Sequence, residues 1–171
     1  MKRSVRWLAL ICALMMTVSL FACGEKKDDA KSGSDAAAVD LTDFGWVKFE
    51  MPEGWADAKE SDAYVTVKED ADTHHIVKLF GNNYVVEKTI EEVAKADAAD
   101  NPDRYTLDAP VEIGGREWYP VRFKFNDKDS VRLFAEVDKE HYCYVTVFEQ
   151  TETAPAVQTI LNNIAFDASK F

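Results

Sequence analysis

The sequence predicts an α+β domain with a single, mostly antiparallel sheet of about six or seven strands and helices packed on its faces. Apolar and polar residues alternate in several short segments, as in strands with one buried face. Two other segments have helical periodicity, and they do not alternate regularly with the strands, which argues against a parallel sheet. Of the 171 residues, 47% are hydrophobic and 12% are aromatic, so the chain can build its own core.

The first part of the domain is predicted to contain three strands and a helix. Residues 46–51, 64–68 and 75–80 alternate in polarity, and the last of these segments is closed by Gly81-Asn82-Asn83. The helix begins at a capping box, in which Thr89 is followed three residues later by Glu92.

The second part is predicted to be a meander of antiparallel strands closed by a helix. Gly114-Gly115 predicts a hairpin turn with positive φ, and an aromatic-rich strand follows it to Phe125. Residues 126–130 are polar and predict a second turn. Two further strands are expected at 131–138 and 142–149, and the closing helix is expected at 154–163.

The N-terminus has the features of a secretory signal. Three basic residues precede an apolar stretch at 7–22, which is short for a membrane-spanning helix. Leu20-Phe21-Ala22-Cys23 resembles the lipobox of bacterial lipoproteins. The resemblance implies cleavage after Ala22 and acylation of Cys23 by a diacylglyceryl group and palmitate-type chains. An uncleaved N-terminal anchor helix with an incidental cysteine is the alternative.

These features predict three regions and a location. Residues 1–22 are the lipoprotein signal peptide, 23–40 are the lipidated cysteine and a flexible tether, and 41–171 are the α+β domain. The tether is charged, rich in Ser, Gly and Ala, and free of aromatic residues, so it cannot bury a core. The domain is therefore expected at a cell membrane, lipid-anchored on the extracytoplasmic face.

The domain also resembles the PsbP-like proteins, whose fold is shared with a Ran-binding nuclear transport factor. The segment Phe49-Glu50-Met51-Pro52-Glu53-Gly54-Trp55 looks like the strand and P-x-G-W opening of that family. The helix capped at Thr89, the hairpin at Gly115 and the terminal Ile164-Ala165-Phe166 follow in the same order. The resemblance implies an antiparallel sheet with helices on both faces, and it brings no catalytic residues because the family has no common set.

Charge and motifs exclude several functions. The formal net charge of −11 repels phosphate backbones, so no nucleic-acid partner is expected. No Gly-x-Ser-x-Gly elbow and no glycine-rich phosphate loop are present. Cys143 lies within a predicted strand and is expected to be a buried thiol without a disulfide partner. No catalytic residue and no cofactor are predicted.

The histidines give at most a weak indication of metal binding. His74 and His75 are adjacent, and adjacent side chains in a strand point to opposite faces, so they chelate one ion only if they lie in a turn. Asp70 and Asp72 suggest such a turn, and His141 lies elsewhere in the sequence. Solvent-exposed histidines are the preferred interpretation, and metal binding through His74 and His75 is the alternative.

A candidate ligand-binding surface follows from alternation in the last strands. One face is predicted to carry aromatic residues and arginines, while Val121, Phe123, Leu133 and Val145 are assigned to the opposite, core face. A helix covering each face is the preferred interpretation, and a partly open groove for a peptide or small anionic ligand is the alternative. The candidate residues are Trp118, Arg122, Arg132, Phe134, Tyr142 and Tyr144.

Taken together, these observations predict a non-enzymatic, lipid-anchored binding or accessory protein of a bacterial cell envelope. Its partners are expected to be the membrane, through the anchor, and an envelope protein or a small ligand. Two alternatives remain open at this stage: an extracytoplasmic hydrolase and a weak metal-binding lipoprotein.

Overall fold

A computed structural model describes residues 39–61, 63–72, 74–84 and 88–171. These residues belong to one compact unit, Ala38–Phe171. The predicted signal peptide and most of the predicted tether, including Cys23, lie outside the described residues. Neither described α-helix is long and apolar enough to cross a membrane.

The described chain contains eleven strands, two α-helices and a short 3₁₀ turn at Ala168–Lys170. The strands are β1 (Leu41–Asp43), β2 (Val47–Glu50), β3 (Trp55–Asp57), β4 (Val65–Glu69), β5 (Ile76–Asn83), β6 (Thr106–Leu107), β7 (Val111–Ile113), β8 (Arg116–Phe125), β9 (Lys128–Glu136), β10 (His141–Phe148) and β11 (Ala165–Phe166). The helices are α1 (Ile90–Ala99) and α2 (Pro155–Asn162).

The predicted fold class is confirmed, with more strands than expected. The main sheet has eight strands in the order β3-β4-β5-β10-β9-β8-β6, with β7 paired to β8 as a short extension. All of its neighbouring strands are antiparallel. A separate three-stranded sheet has the order β1-β2-β11. It joins the two ends of the domain, a long-range pairing that no local pattern reveals.

The predicted helix signals are correct. The Thr89 hydroxyl accepts a hydrogen bond from the backbone N–H of Glu92, and the Glu92 carboxylate accepts one from the backbone N–H of Thr89. Pro155 occupies the first turn of α2, where its missing N–H has no helical partner to lose.

The helices pack against opposite faces of the main sheet, as the sequence predicted. Face A, which carries Leu133 and Val145, forms the larger core with β2 and with the buried residues of α2. Face B, which carries Phe134 and Tyr144, forms a smaller cluster with Ile90 and Ala94 of α1. The main core is therefore on face A, between the two sheets.

The predicted distribution of β8 side chains between the faces is wrong. Val121 pairs with Arg132 and Tyr119 pairs with Phe134, and directly paired residues share a face. Val121 and Phe123 therefore lie on face B with Tyr144. Trp118 lies on face A with Leu133 and Val145, where its side chain is fully buried. Alternation within each strand was predicted correctly, but the register between β8 and β9 was not.

The turn between β8 and β9 explains the difference. It has two residues, Asn126 and Asp127, with φ angles of 50° and 62°. Two consecutive residues with positive φ are typical of a type I′ hairpin turn, whose twist matches that of paired strands. Phe125 consequently pairs with Lys128, and Lys128 to Ser130 belong to β9 rather than to a longer turn. A five-residue turn at 126–130 would pair Phe125 with Val131, so the observed pairing shifts β9 by three residues relative to the predicted register. A shift by an odd number of residues exchanges the faces.

β5 also extends further than predicted. Gly81 was expected to close the strand, but it pairs with Cys143 inside the sheet. A Cβ atom at Gly81 would lie 3.1 Å from the ring of Phe171. Glycine here permits close packing of Phe171 rather than a turn.

We expect Trp118→Ala to lower the free energy of unfolding by about 3–5 kcal/mol, because it removes a large, fully buried side chain. It also removes the hydrogen bond from the indole N–H to the carbonyl oxygen of Ile113, which is 3.2 Å long. Chemical denaturation measures the loss. Phe125→Ala is the matched control, because that aromatic side chain lies on the same strand and is 39% exposed. Equal effects of the two substitutions would show that the assigned register is wrong.

Candidate ligand-binding site

A row of aromatic rings crosses face B and is the most prominent feature of that face. The ring of Tyr64 lies 4.8 Å from that of Phe80, and Phe80 stacks on Tyr144 at 4.5 Å between centroids. Tyr144 in turn contacts Phe134 at 5.5 Å. Phe134 is buried among residues of α1, whereas the other three rings are half-buried. The row therefore runs from a covered end at α1 to a more open end at Tyr64.

Two basic side chains lie above the row and each forms an ion pair. Lys78 Nζ is 5.2 Å from the centroid of Tyr64 and 2.7 Å from Glu60 Oε2. Arg132 lies 5.7 Å from the centroid of Tyr144 and pairs with Asp97 of α1. Cations at such distances from aromatic faces are attracted by the ring quadrupole. Each basic group beside the row is thus paired with a carboxylate, Lys78 with Glu60 and Arg132 with Asp97.

Burial and hydrogen bonding shift the pKa values of ionisable groups in and beside the row. Burial raises the pKa of the Tyr144 hydroxyl, and it also raises the pKa of Tyr142. Both hydroxyls therefore remain neutral near pH 7 and can donate hydrogen bonds. Burial likewise raises the pKa of Asp97, and this effect outweighs the opposing effect of Arg132. By contrast, the hydrogen bond from Lys78 lowers the pKa of Glu60.

A cleft lies beside the open end of the row. Its volume is about 520 Å³, which is within the usual range for small-ligand sites. Phe44 and Trp46 line one side, contributed by the connection between β1 and β2, and the loop before β4 lines the other. Tyr64 belongs to both the cleft and the aromatic row. The remaining lining residues are Asp57, Lys59, Glu60, Ser61 and Val65.

The structure brings four of the six sequence-predicted site residues to face B. Phe134 and Tyr144 belong to the row, and Arg132 lies above it. Tyr142 lies near its end and packs against Tyr84 at 5.1 Å. Trp118 lies on face A, and its buried indole rules out an open groove around it.

Arg122 also points away from the row, because it pairs with Val131 on face A. Its guanidinium forms a two-pronged ion pair with Glu152, with contacts of 2.5 and 2.7 Å. The Nε atom contacts Asp108 Oδ2 at 2.9 Å. These bonds raise the pKa of Arg122 further above its already high value. Arg122 therefore fixes the loop before α2 against the sheet.

The three histidines do not converge. His141 lies at the start of β10, and His75 lies beside the other end of that strand, where Ile76 pairs with Phe148. A strand of this length separates them by roughly 20 Å. His74 Nδ1 is 3.4 Å from Glu149 Oε1, whereas His75 Nδ1 is 2.7 Å from Glu69 Oε2. The two adjacent histidines thus have different carboxylate partners.

Cys143 is buried on face A, as predicted. Burial raises the pKa of its thiol to about 12. The thiolate that a nucleophile requires is therefore not formed at neutral pH.

Sequence reasoning missed Tyr64 and Phe80, which form the open half of the row, and it missed the cleft. Their strands were predicted, but the pairing of β5 with β10 that places Phe80 beside Tyr144 is a long-range contact. The available signal was the period-two alternation of the two predicted strands, 64–68 and 75–80, which contain Tyr64 and Phe80.

Glu149 is a buried carboxylate that joins three loops at one end of the sheet. Its side chain is only 2% exposed. Asn126 Nδ2 and Lys128 Nζ donate to its two oxygens at 2.8 and 2.6 Å. Its backbone N–H donates to the hydroxyl of the buried Ser130. The hydrogen bond from Lys128 lowers the pKa of Glu149, and Asn126 lowers it further.

No protein-family model matches the chain. No curated protein matches it. Among solved structures, it is similar to a protein of Bacteroides thetaiotaomicron with 10% identity and a TM-score of 0.45, over 75% of this chain and 47% of that one. The chain thus spans about half the length of that protein. It is also similar to the PsbP protein CyanoP of Synechocystis sp. PCC 6803, with 13% identity and a TM-score of 0.45, over 86% of this chain and 99% of that one.

We expect Glu149 to make stability depend on pH in the acid range. Its pKa in the folded state lies below the ordinary value of 4.5, so the ionised group stabilises the fold above that pH. This contribution is lost as the pH falls through the lowered pKa. Denaturant unfolding from about pH 5 to about pH 3 should therefore show a smaller loss of stability in Glu149→Gln than in the wild type.

Glu112→Gln is the control for this measurement, because Glu112 is exposed on β7. It should leave the acid dependence of stability unchanged. An acid dependence in Glu149→Gln as steep as that of the wild type would contradict the assigned role of Glu149.

Proposed function

We propose that the protein is a lipid-anchored binding or accessory protein of a bacterial cell envelope, held through Cys23 on the extracytoplasmic face of a membrane. The lipobox-like Leu20-Phe21-Ala22-Cys23 and the polar tether after it support the anchor. Two acyl chains hold a protein stably at a membrane where one chain holds it only marginally. The acidic net charge suits a partner other than nucleic acid.

The observation that supports a binding role is the cleft and its continuation into the aromatic row. Phe44, Trp46 and Tyr64 offer aromatic surface, and aromatic residues dominate the energetics of binding sites. Asp57, Lys59 and Glu60 supply polar groups of both signs at the rim. Such a lining suits a short peptide segment or a small organic ligand with an apolar part and a few polar groups. The buried Cys143 thiol is unsuited to nucleophilic catalysis.

The anchor predicts a specific modification. Mass spectrometry of the protein from its own cells should find acyl chains on Cys23 and no residues before it. Cys23→Ala should abolish both the acylation and the processing, because the thioether forms on that sulfur. Cys143→Ala should leave both unchanged, since that thiol is buried. An unmodified Cys23 in the wild-type protein would refute the anchor.

The cleft predicts position-specific crosslinking. A photoreactive residue at Lys59, which lines the cleft, should capture a discrete partner in cells, whereas one at Lys124 on β8 should not. In the protein that carries the photoreactive residue at position 59, Tyr64→Ala should reduce that product by about tenfold or more, because truncation of an aromatic hot-spot residue costs about 2 kcal/mol or more. Phe125→Ala, which removes an exposed aromatic side chain outside the cleft, is the matched control and should have no effect. Equal products from Lys59 and Lys124 would argue against the cleft as the binding site.

A further inference from the structure

Three metal-ligating side chains converge in the connection between β4 and β5. Glu69 is the last residue of β4, Asp72 lies in the turn, and His75 directly precedes β5. One ligand atom from each lies within 4.8 Å of the other two. His75 Nδ1 is 2.7 Å from Glu69 Oε2 and 3.7 Å from Asp72 Oδ2. The spacings E-x₂-D and D-x₂-H say little by themselves, so the convergence of the three ligand atoms is the informative observation.

These separations allow a metal ion to bind between the three atoms once the hydrogen bond between His75 Nδ1 and Glu69 Oε2 gives up its proton. Zn²⁺ binds histidine nitrogen and carboxylate oxygen at about 2.1 Å, so neighbouring ligands of a tetrahedral ion lie about 3.4 Å apart. The distances from His75 Nδ1 to the two carboxylates lie on either side of this value. The His75 side chain is 29% exposed, that of Glu69 is 39% exposed and that of Asp72 is 36% exposed. Water therefore has access to the remaining coordination positions of the ion.

The turn orients the carboxylate of Asp72. Its Oδ1 atom accepts a hydrogen bond of 2.7 Å from the backbone N–H of His74. This bond leaves Oδ2 facing His75. Hydrogen bonds that orient a ligating group in this way support metal affinity.

Only one of the two adjacent histidines belongs to this group. His74 contributes its backbone to the turn, while its side chain faces Glu149. Two carboxylates and one neutral imidazole carry a charge of −2, which complements a divalent cation. Imidazole together with carboxylate oxygen selects Zn²⁺ and related transition metals over Ca²⁺ or Mg²⁺.

We propose that Glu69, Asp72 and His75 form a site for a divalent transition-metal ion, with water at the remaining positions. This site is separate from the cleft and does not depend on the proposed binding function. It assigns different roles to two neighbouring residues that the sequence alone treats as equivalent.

The test is calorimetric titration of the full chain with Zn²⁺ in a Cys12→Ser, Cys23→Ser background, which removes the thiols of the N-terminal segment. We expect one site per chain. His75→Ala and Asp72→Asn should each weaken binding by about tenfold or more, because each loses a ligand. His74→Ala is the matched control and should change the affinity by less than about twofold.

Circular dichroism without metal should show all variants folded, since none of the three ligands is in the core. Three results would overturn the proposal: no Zn²⁺ binding by the background chain, unchanged binding by His75→Ala, or equal losses in His74→Ala and His75→Ala. Weaker binding in both His75→Ala and Asp72→Asn, with the affinity of His74→Ala unchanged, would support it.

Discussion

The two-residue turn at Asn126-Asp127 determines which core each side chain of the hairpin β8–β9 enters. Because its two residues have positive φ, Phe125 pairs with Lys128, and the pairing of all following residues is set. The register places Trp118 in the core between the two sheets and places Val121 beneath α1. A shift of β8 by one residue would exchange these two side chains between the cores.

The two faces of the main sheet are covered to different extents by the other elements. Face A is closed by α2 and by the three-stranded sheet, and its central residues, such as Leu133 and Val145, are almost wholly buried. Face B is covered by α1 at one end, while the half-buried rings of Tyr64, Phe80 and Tyr144 continue beyond the helix. The candidate site therefore lies beyond the part of face B that α1 covers, next to the cleft.

Carboxylates hold the loops around this framework. Glu152 is buried and anchors Arg122 beside α2, and Glu149 is buried and joins the β8–β9 turn to the end of β10. Buried carboxylates are costly unless they are paired and hydrogen-bonded, and both have such partners here. Glu149 also has positive φ, at 55°, so the chain is constrained where it leaves β10. The carboxylates near His75 differ in being more exposed, which leaves them accessible to an ion.

The sequence by itself determined the features that depend on neighbouring residues. Period-two alternation predicted most strands, the Thr89–Glu92 capping box predicted the start of α1, and Gly114-Gly115 predicted a hairpin. The fold class followed from the order of these elements. Arg132, Phe134, Tyr142 and Tyr144 were assigned to one face correctly because they lie on two strands whose relative register was inferred correctly.

Only the tertiary structure decided how the strands align and what covers them. Trp118 and Arg122 were placed on the wrong face because turn length, which sets register, depends on whether Asn126 and Asp127 adopt positive φ. The separate sheet and the cleft bring together residues from different segments. The convergence of Glu69, Asp72 and His75 is local, but it depends on the geometry of the turn between β4 and β5. Local sequence fixes backbone preference and the alternation of side chains within a strand. Register and burial are set by the free energy of packing whole elements against one another, which no single segment contains.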